Sequence, residues 1–187
     1  LQQHLSAAPS VASAPILSRP GTYRIIAAID EMGVAAPAFD LGFGIRRPLE
    51  LPGKPGKKTR RLLRELAPGD TVECTTDDKG RPALRRVWGQ TESRLYAYTA
   101  TRLQAVAPAT LQLQLNLGFA VMYECRARLR APADKLSRQA LEAAVASTDL
   151  PVFAHTLQLT RGQGYAVDLY HLNNPAEPVL LNRAWVS

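Results

Sequence analysis

Between residues 111 and 129 the chain keeps a period of two. Leu111, Leu113, Leu115 and Leu117 alternate with Gln112, Gln114 and Asn116, and the odd positions stay mainly apolar through Phe119, Val121, Tyr123, Cys125, Ala127 and Leu129. Successive side chains of a β-strand point to opposite faces, so the pattern fits a strand buried on one face and wetted on the other. Gly118 divides the run into two strands. Sheets with one solvated face are characteristically antiparallel.

The flanks extend this reading. A helix is predicted over 132–147, with Pro132 in the first turn, Asp134 near the positive end of the dipole, and Leu136, Ala140, Leu141, Ala144 and Val145 as its apolar face. Strands follow at 152–160 and 165–172, joined as a hairpin through Arg161-Gly162-Gln163-Gly164, and a last strand covers 179–186. This order resembles half of a ferredoxin-like unit that lacks its second crossing helix.

Upstream, 23–29 (YRIIAAI) reads as a first strand. Residues 34–57 include Gly42, Gly44, Pro48, Pro52, Gly53, Pro55 and Gly56, a density that predicts a long loop. A short helix over 58–67 has Leu62, Leu63 and Leu66 as its apolar stripe and stops at Pro68-Gly69. Strands at 70–76, 82–88 and 94–103, the first two joined by an Asp77-Asp78-Lys79-Gly80 turn, read as an antiparallel meander. The expected class is α+β: a mostly antiparallel sheet, two short helices and a long Pro/Gly-rich basic loop. Residues 1–20, rich in Ala, Ser and Pro, are expected as a flexible arm or linker rather than a signal peptide. The first residue is Leu1, which suggests processing or truncation. The body divides into 21–107 and 108–187 with a seam near Pro108, or forms one continuous domain.

The chain has 187 residues, 46% of them hydrophobic, enough for a core that needs no disulfide or metal staple. Its two cysteines, Cys74 and Cys125, share positions with apolar neighbours and are expected as small buried hydrophobes. No apolar run reaches the length of a membrane span. A soluble, cytoplasmic or organelle-matrix protein is expected.

The formal net charge is +7. From 46 to 64 stand Arg46, Arg47, Lys54, Lys57, Lys58, Arg60, Arg61 and Arg64 against the single acid Glu50, so this segment carries the whole excess. Concentrated positive charge attracts polyanions and speeds their capture. Gly56-Lys57 looks like part of a phosphate loop, but the pattern then needs glycine at 51 and a hydroxyl at 58, where Leu51 and Lys58 stand. A flexible, solvated charged loop accounts for the same composition.

Other candidates depend on pairing. If 82–88 pairs with 94–100, one face carries Trp88, Tyr96 and Tyr98 interleaved with Arg86 and Arg94, a platform on which bases could stack. The competing expectation buries the aromatics and lets the arginines snorkel outward. Arg126, Arg128 and Arg130 share a strand face with Glu124, which suits a simple solvent face as well as a phosphate track. His4 lies in the arm. Matching apolar faces, with Leu157 opposite Val167, makes His155 and His171 diagonal neighbours on one face and sends Asp168 to the other. The two histidines are weak catalytic candidates, and a structural role suits them better.

The chain lacks H-E-x-x-H, C-x-x-C, G-x-S-x-G and G-x-G-x-x-G, and no cofactor or metal is expected. The leading expectation is a non-enzymatic protein that binds RNA or single-stranded DNA within a ribonucleoprotein or replication assembly. The rivals are an enzyme on an anionic small molecule, with the basic loop as lid and a histidine as base, and an adaptor docking an acidic protein.

Overall fold

A computed structural model describes residues 19–29, 33–90, 95–158, 164–171 and 179–186. Residues 1–18 of the arm expected over 1–20 therefore lie outside the described residues, as do His4 and Arg94. The class is α+β, mostly strands with few helices. The strands form two sheets that share one hydrophobic core.

The first sheet is antiparallel. It contains β1 (Thr22–Ile29), β2 (Ala35–Asp40), β3 (Arg46–Pro48), β4 (Thr71–Thr76) and β5 (Pro82–Arg86), in the order β3-β2-β1-β4-β5. The segment expected as one long loop thus holds two strands. Two of its glycines serve the tight turn between them: Gly42 and Gly44 have positive φ, and Ile45 N–H donates to the Gly42 carbonyl at 2.8 Å. The irregular stretch is confined to 49–56. Next comes α1 (Lys57–Glu65); its Leu62 and Leu63, with Leu66 at the C-cap just beyond it, pack on the core as the apolar stripe predicts.

The second sheet closes into a five-stranded barrel. It is built from β6 (Ala97–Ala107), β7 (Thr110–Gly118), β8 (Val121–Leu129), β9 (Val152–Gln158) and β10 (Tyr165–His171). The antiparallel meander β6-β7-β8 leads through α2 (Arg138–Ala146) to the β9-β10 hairpin. Strand β9 returns to pair with β6, and β10 lies parallel to β8, which completes the circle. A three-stranded meander, a helix and a closing hairpin give the connectivity of an OB-fold barrel. The ferredoxin-like analogy fails on that closure: the returning hairpin bridges the two outer strands of the meander and leaves no open sheet.

The period-two run is β7 and β8, with Leu113 opposite Cys125 and Leu111 opposite Ala127, all pointing into the barrel. The break after Gly118 is real: Gly118, Phe119 and Ala120 all have positive φ. The helix expected over 132–147 is shorter. A 3-10 turn occupies Ala133–Lys135, and α2 begins after Ser137, whose Oγ accepts from Ala140 N–H at 3.2 Å. Leu141, fully buried, anchors α2. The last expected strand is β11 (Val179–Leu180) followed by α3 (Leu181–Ala184).

The expected meander 70–103 is divided between the sheets: β4 pairs with β5, while β6 pairs with β7 and β9. The change of sheet falls between β5 and β6, and Pro108 sits in the β6-β7 turn. Aromatic rings join the two sheets. The Tyr23 hydroxyl donates to the Leu117 carbonyl and that of Tyr98 to the Leu41 carbonyl, both at 2.7 Å. Phe43, at the β2-β3 turn, stacks on Tyr123 with centroids 4.4 Å apart and meets Tyr165 edge-on at 4.6 Å. Among the described residues no helix is long and apolar enough to cross a membrane.

Candidate nucleic-acid interface

At 100° per residue, α1 separates its residue types cleanly. Lys57, Lys58, Arg60, Arg61 and Arg64 fall on one broad arc, and all five are exposed. Thr59, Leu62 and Leu63 fall on the other, with Thr59 buried. The exposed arc is electrostatically frustrated. The helix has no acidic residue in its first turn and no side-chain cap at Gly56, so Lys57 and Lys58 stand against the positive end of the dipole. Among the described residues one of the five cations has an ion pair, Arg61 Nε to Glu65 Oε1 at 2.7 Å. That pair is exposed, so solvent screens it and it offsets little of the helix's positive charge.

The eight basic residues do not form one patch. Arg46 and Arg47 lie on β3, at the opposite edge of the first sheet from β5, against which α1 packs. Three strands intervene, so the edges are roughly 19 Å apart at ~4.8 Å per strand. Arg47 Nη2 donates to the Phe119 carbonyl at 3.3 Å. Lys54 is exposed in the irregular stretch that leads into α1. Residues adjacent in sequence are separated because β2 and β3 form a hairpin whose tip turns toward the barrel.

The aromatic platform does not form. Strand β5 has β4 as its partner and β6 lies in the barrel, so Trp88 and the two tyrosines share no sheet face. Tyr98 is 3% exposed and points inward, opposite Ala154. Desolvation holds its phenol far above the usual range. Tyr96 is half-buried at positive φ, its hydroxyl donating to Asp40 Oδ2 at 2.8 Å. The snorkelling alternative describes Tyr98 better. Trp88 is the exception, at 78% exposure. Its neighbour Arg86 is half-buried: Nη2 donates to the Glu65 carbonyl at 2.7 Å and to Asp70 Oδ2 at 3.0 Å, and the guanidinium carbon lies 6.0 Å from the centre of the Trp88 ring.

On β8, Arg126 and Arg128 are exposed on the outer face of the barrel, opposite Gln112 and Thr110. Glu124 on the same face accepts from Gln112 and Gln114 at 3.4 Å. Arg130 is diverted, Nη1 pairing with Asp168 Oδ2 at 2.7 Å.

The histidine pairing is off by one residue. His155 stands directly opposite Asp168, and Leu157 opposite Ala166. His155 therefore lies on the outer face with Asp168, while His171 is on the face that carries Leu169 and Val167. The two rings are on opposite sides, and the proposed acid–base pair dissolves. The error has a physical cause: residues 166–170 are all buried, so β10 offers no dry-wet alternation to set a register. Burial raises the Asp168 carboxyl above its usual value, partly offset by Arg130 and His155.

Sequence reasoning missed Asn182, a fully buried polar side chain within an apolar stretch. Its amide ties α3 to β10 and to the chain just beyond β8. Both cysteines are free. Burial pushes the Cys74 thiol up to about 12 and that of Cys125 up to about 11, as for inert packed thiols. No protein-family model matches the chain, and no significant match was found among curated proteins or solved structures.

Proposed function

We propose that the chain is a non-enzymatic nucleic-acid-binding protein that takes RNA or single-stranded DNA, working inside a larger ribonucleoprotein or replication assembly. The observation that carries this reading is α1. Five exposed cations occupy one arc, four of them without an ion pair among the described residues, on a helix whose other side is anchored in the core. Unpaired charge on a fixed support is an electrostatic footprint for a polyanion. A phosphate chain would also relieve the conflict between the first-turn lysines and the helix dipole. The barrel adds support of a weaker kind. OB-type barrels carry oligonucleotides on the outer face of their second and third strands, here β7 and β8, where Arg126 and Arg128 are exposed. A fold shared by many functions assigns none by itself.

The test replaces Lys57, Lys58, Arg60 and Arg61 by alanine. Alanine favours helix, so α1 should persist. Affinity for a single-stranded oligonucleotide at moderate salt should fall at least tenfold. The slope of log K against log salt should lose about two to three units, since each neutralised phosphate on a single strand contributes roughly 0.7. An unchanged affinity and slope in a folded variant would remove the reading.

A further inference from the structure

We propose that Trp88 is the base-stacking anchor of this interface, so that the site selects unpaired nucleotides over duplex. The inference rests on the reading of α1 as a phosphate-binding helix. Among the described residues Trp88 is the most exposed of the large apolar side chains, at 78%. Its position is not that of a loose loop residue. Val87 N–H donates to the Thr71 carbonyl at 2.9 Å, so the backbone stays beside β4 up to the residue before the indole. Gly89 follows at positive φ and turns the chain away.

Arg86 fixes the ring from the side of the fold. Its guanidinium lies 6.0 Å from the ring centre and bridges the last carbonyl of α1, that of Glu65, and the Asp70 carboxylate. With its charge matched by Asp70, Arg86 is a positioning residue rather than a phosphate ligand. It places the indole beside the C-terminal end of α1, and the ring is left largely open to solvent. Along α1, Lys57, Arg61 and Arg64 supply a cation every three or four residues, about 5–6 Å apart. A ligand that suits both elements has a flat π-face on an anionic chain, and a nucleotide strand meets that description. In a duplex the bases are already stacked and their faces are closed to Trp88.

A cationic amphipathic helix beside a tryptophan also resembles a membrane-surface element. The orientation of α1 argues against that: Leu62, Leu63 and Leu66 pack on the core, so the helix does not offer its apolar face to lipid.

The experiment compares the wild type, Trp88→Ala, Trp88→Phe and the α1 quadruple alanine variant. The probes are a single-stranded 12-mer of thymidine or uridine, a duplex of equal length, and phosphatidylserine-containing vesicles. Trp88→Ala should weaken single-strand binding about tenfold with the salt slope unchanged, leave duplex affinity within about twofold, and keep the wild-type urea midpoint. Trp88→Phe should restore most of the loss. Binding should quench wild-type tryptophan fluorescence, and the quench should vanish in Trp88→Ala, where Trp185 remains as the internal control. If Trp88→Ala binds the single strand like the wild type while the α1 variant does not, the anchor is refuted and the phosphate-binding reading stands. If the wild type binds neither nucleic acid, both fall. Vesicle binding lost in Trp88→Ala without any nucleic-acid effect overturns the proposal in favour of a lipid surface.

Discussion

Replacing Asn182 by alanine removes one side chain and disturbs three segments. The amide oxygen accepts from Leu169 N–H at 3.0 Å, and the amide nitrogen faces the carbonyls of Arg130 at 3.1 Å and Val167 at 3.2 Å and the Asp168 Oδ1 at 3.3 Å. These losses are unequal. The Val167 carbonyl keeps the Arg130 N–H at 3.2 Å, and Asp168 keeps the Arg130 guanidinium. The Leu169 N–H belongs to a fully buried residue, so its loss of an acceptor carries the desolvation cost of an orphaned donor, about 1–3 kcal/mol. The weakened Arg130 carbonyl and the missing donor at Asp168 add about 1 kcal/mol together. The expected loss is about 3 kcal/mol, equivalent to roughly 6–12 °C in Tm for a chain of this size. Urea unfolding at pH 7 measures it. A loss below about 1 kcal/mol with an unchanged m-value would show that water takes over these bonds and that Asn182 is not the clasp between α3 and the barrel.

Two further outcomes follow from burial. The Tyr170 phenol is pushed up to about 12 and those of Tyr23 and Tyr98 higher still, mainly by desolvation, and both thiols are raised by the same cause. Above about pH 9–10 the unfolded chain releases protons that the folded chain retains, so stability is complete below that range and falls as pH rises through it. Urea midpoints at pH 8 and pH 11 should differ by about 2 kcal/mol or more of stability, and equal midpoints would contradict the burial of these groups. Cys74 and Cys125 should react with a disulfide reagent at pH 8 far more slowly in the native protein than in urea. Prompt labelling of both thiols in the native state would show that the strands carrying them open locally.

Much of the local structure was legible in the residues themselves. The leucines at 111–117 must sit on one face of a strand, and they do, because the alternation of a pleated chain needs no knowledge of the partner. The amphipathic pattern of 58–67 likewise sets which side of α1 meets the core and which meets water. Partner choice was not legible. Nothing near 82–103 states that β5 and β6 belong to different sheets, because an alternating strand offers the same edge to any neighbour. The platform of Trp88, Tyr96 and Tyr98 assumed a hairpin the chain does not make. The Val167 strand lost its register signal because both of its faces are dry, and the basic run split because the β2-β3 hairpin carries Arg46 and Arg47 to the far edge of the sheet. Side-chain pattern determines which face of an element is dry. Only the long-range pairing of backbone edges, including β9 with β6 and β10 with β8, decides which elements meet, since closing those distant contacts depends on the whole chain at once.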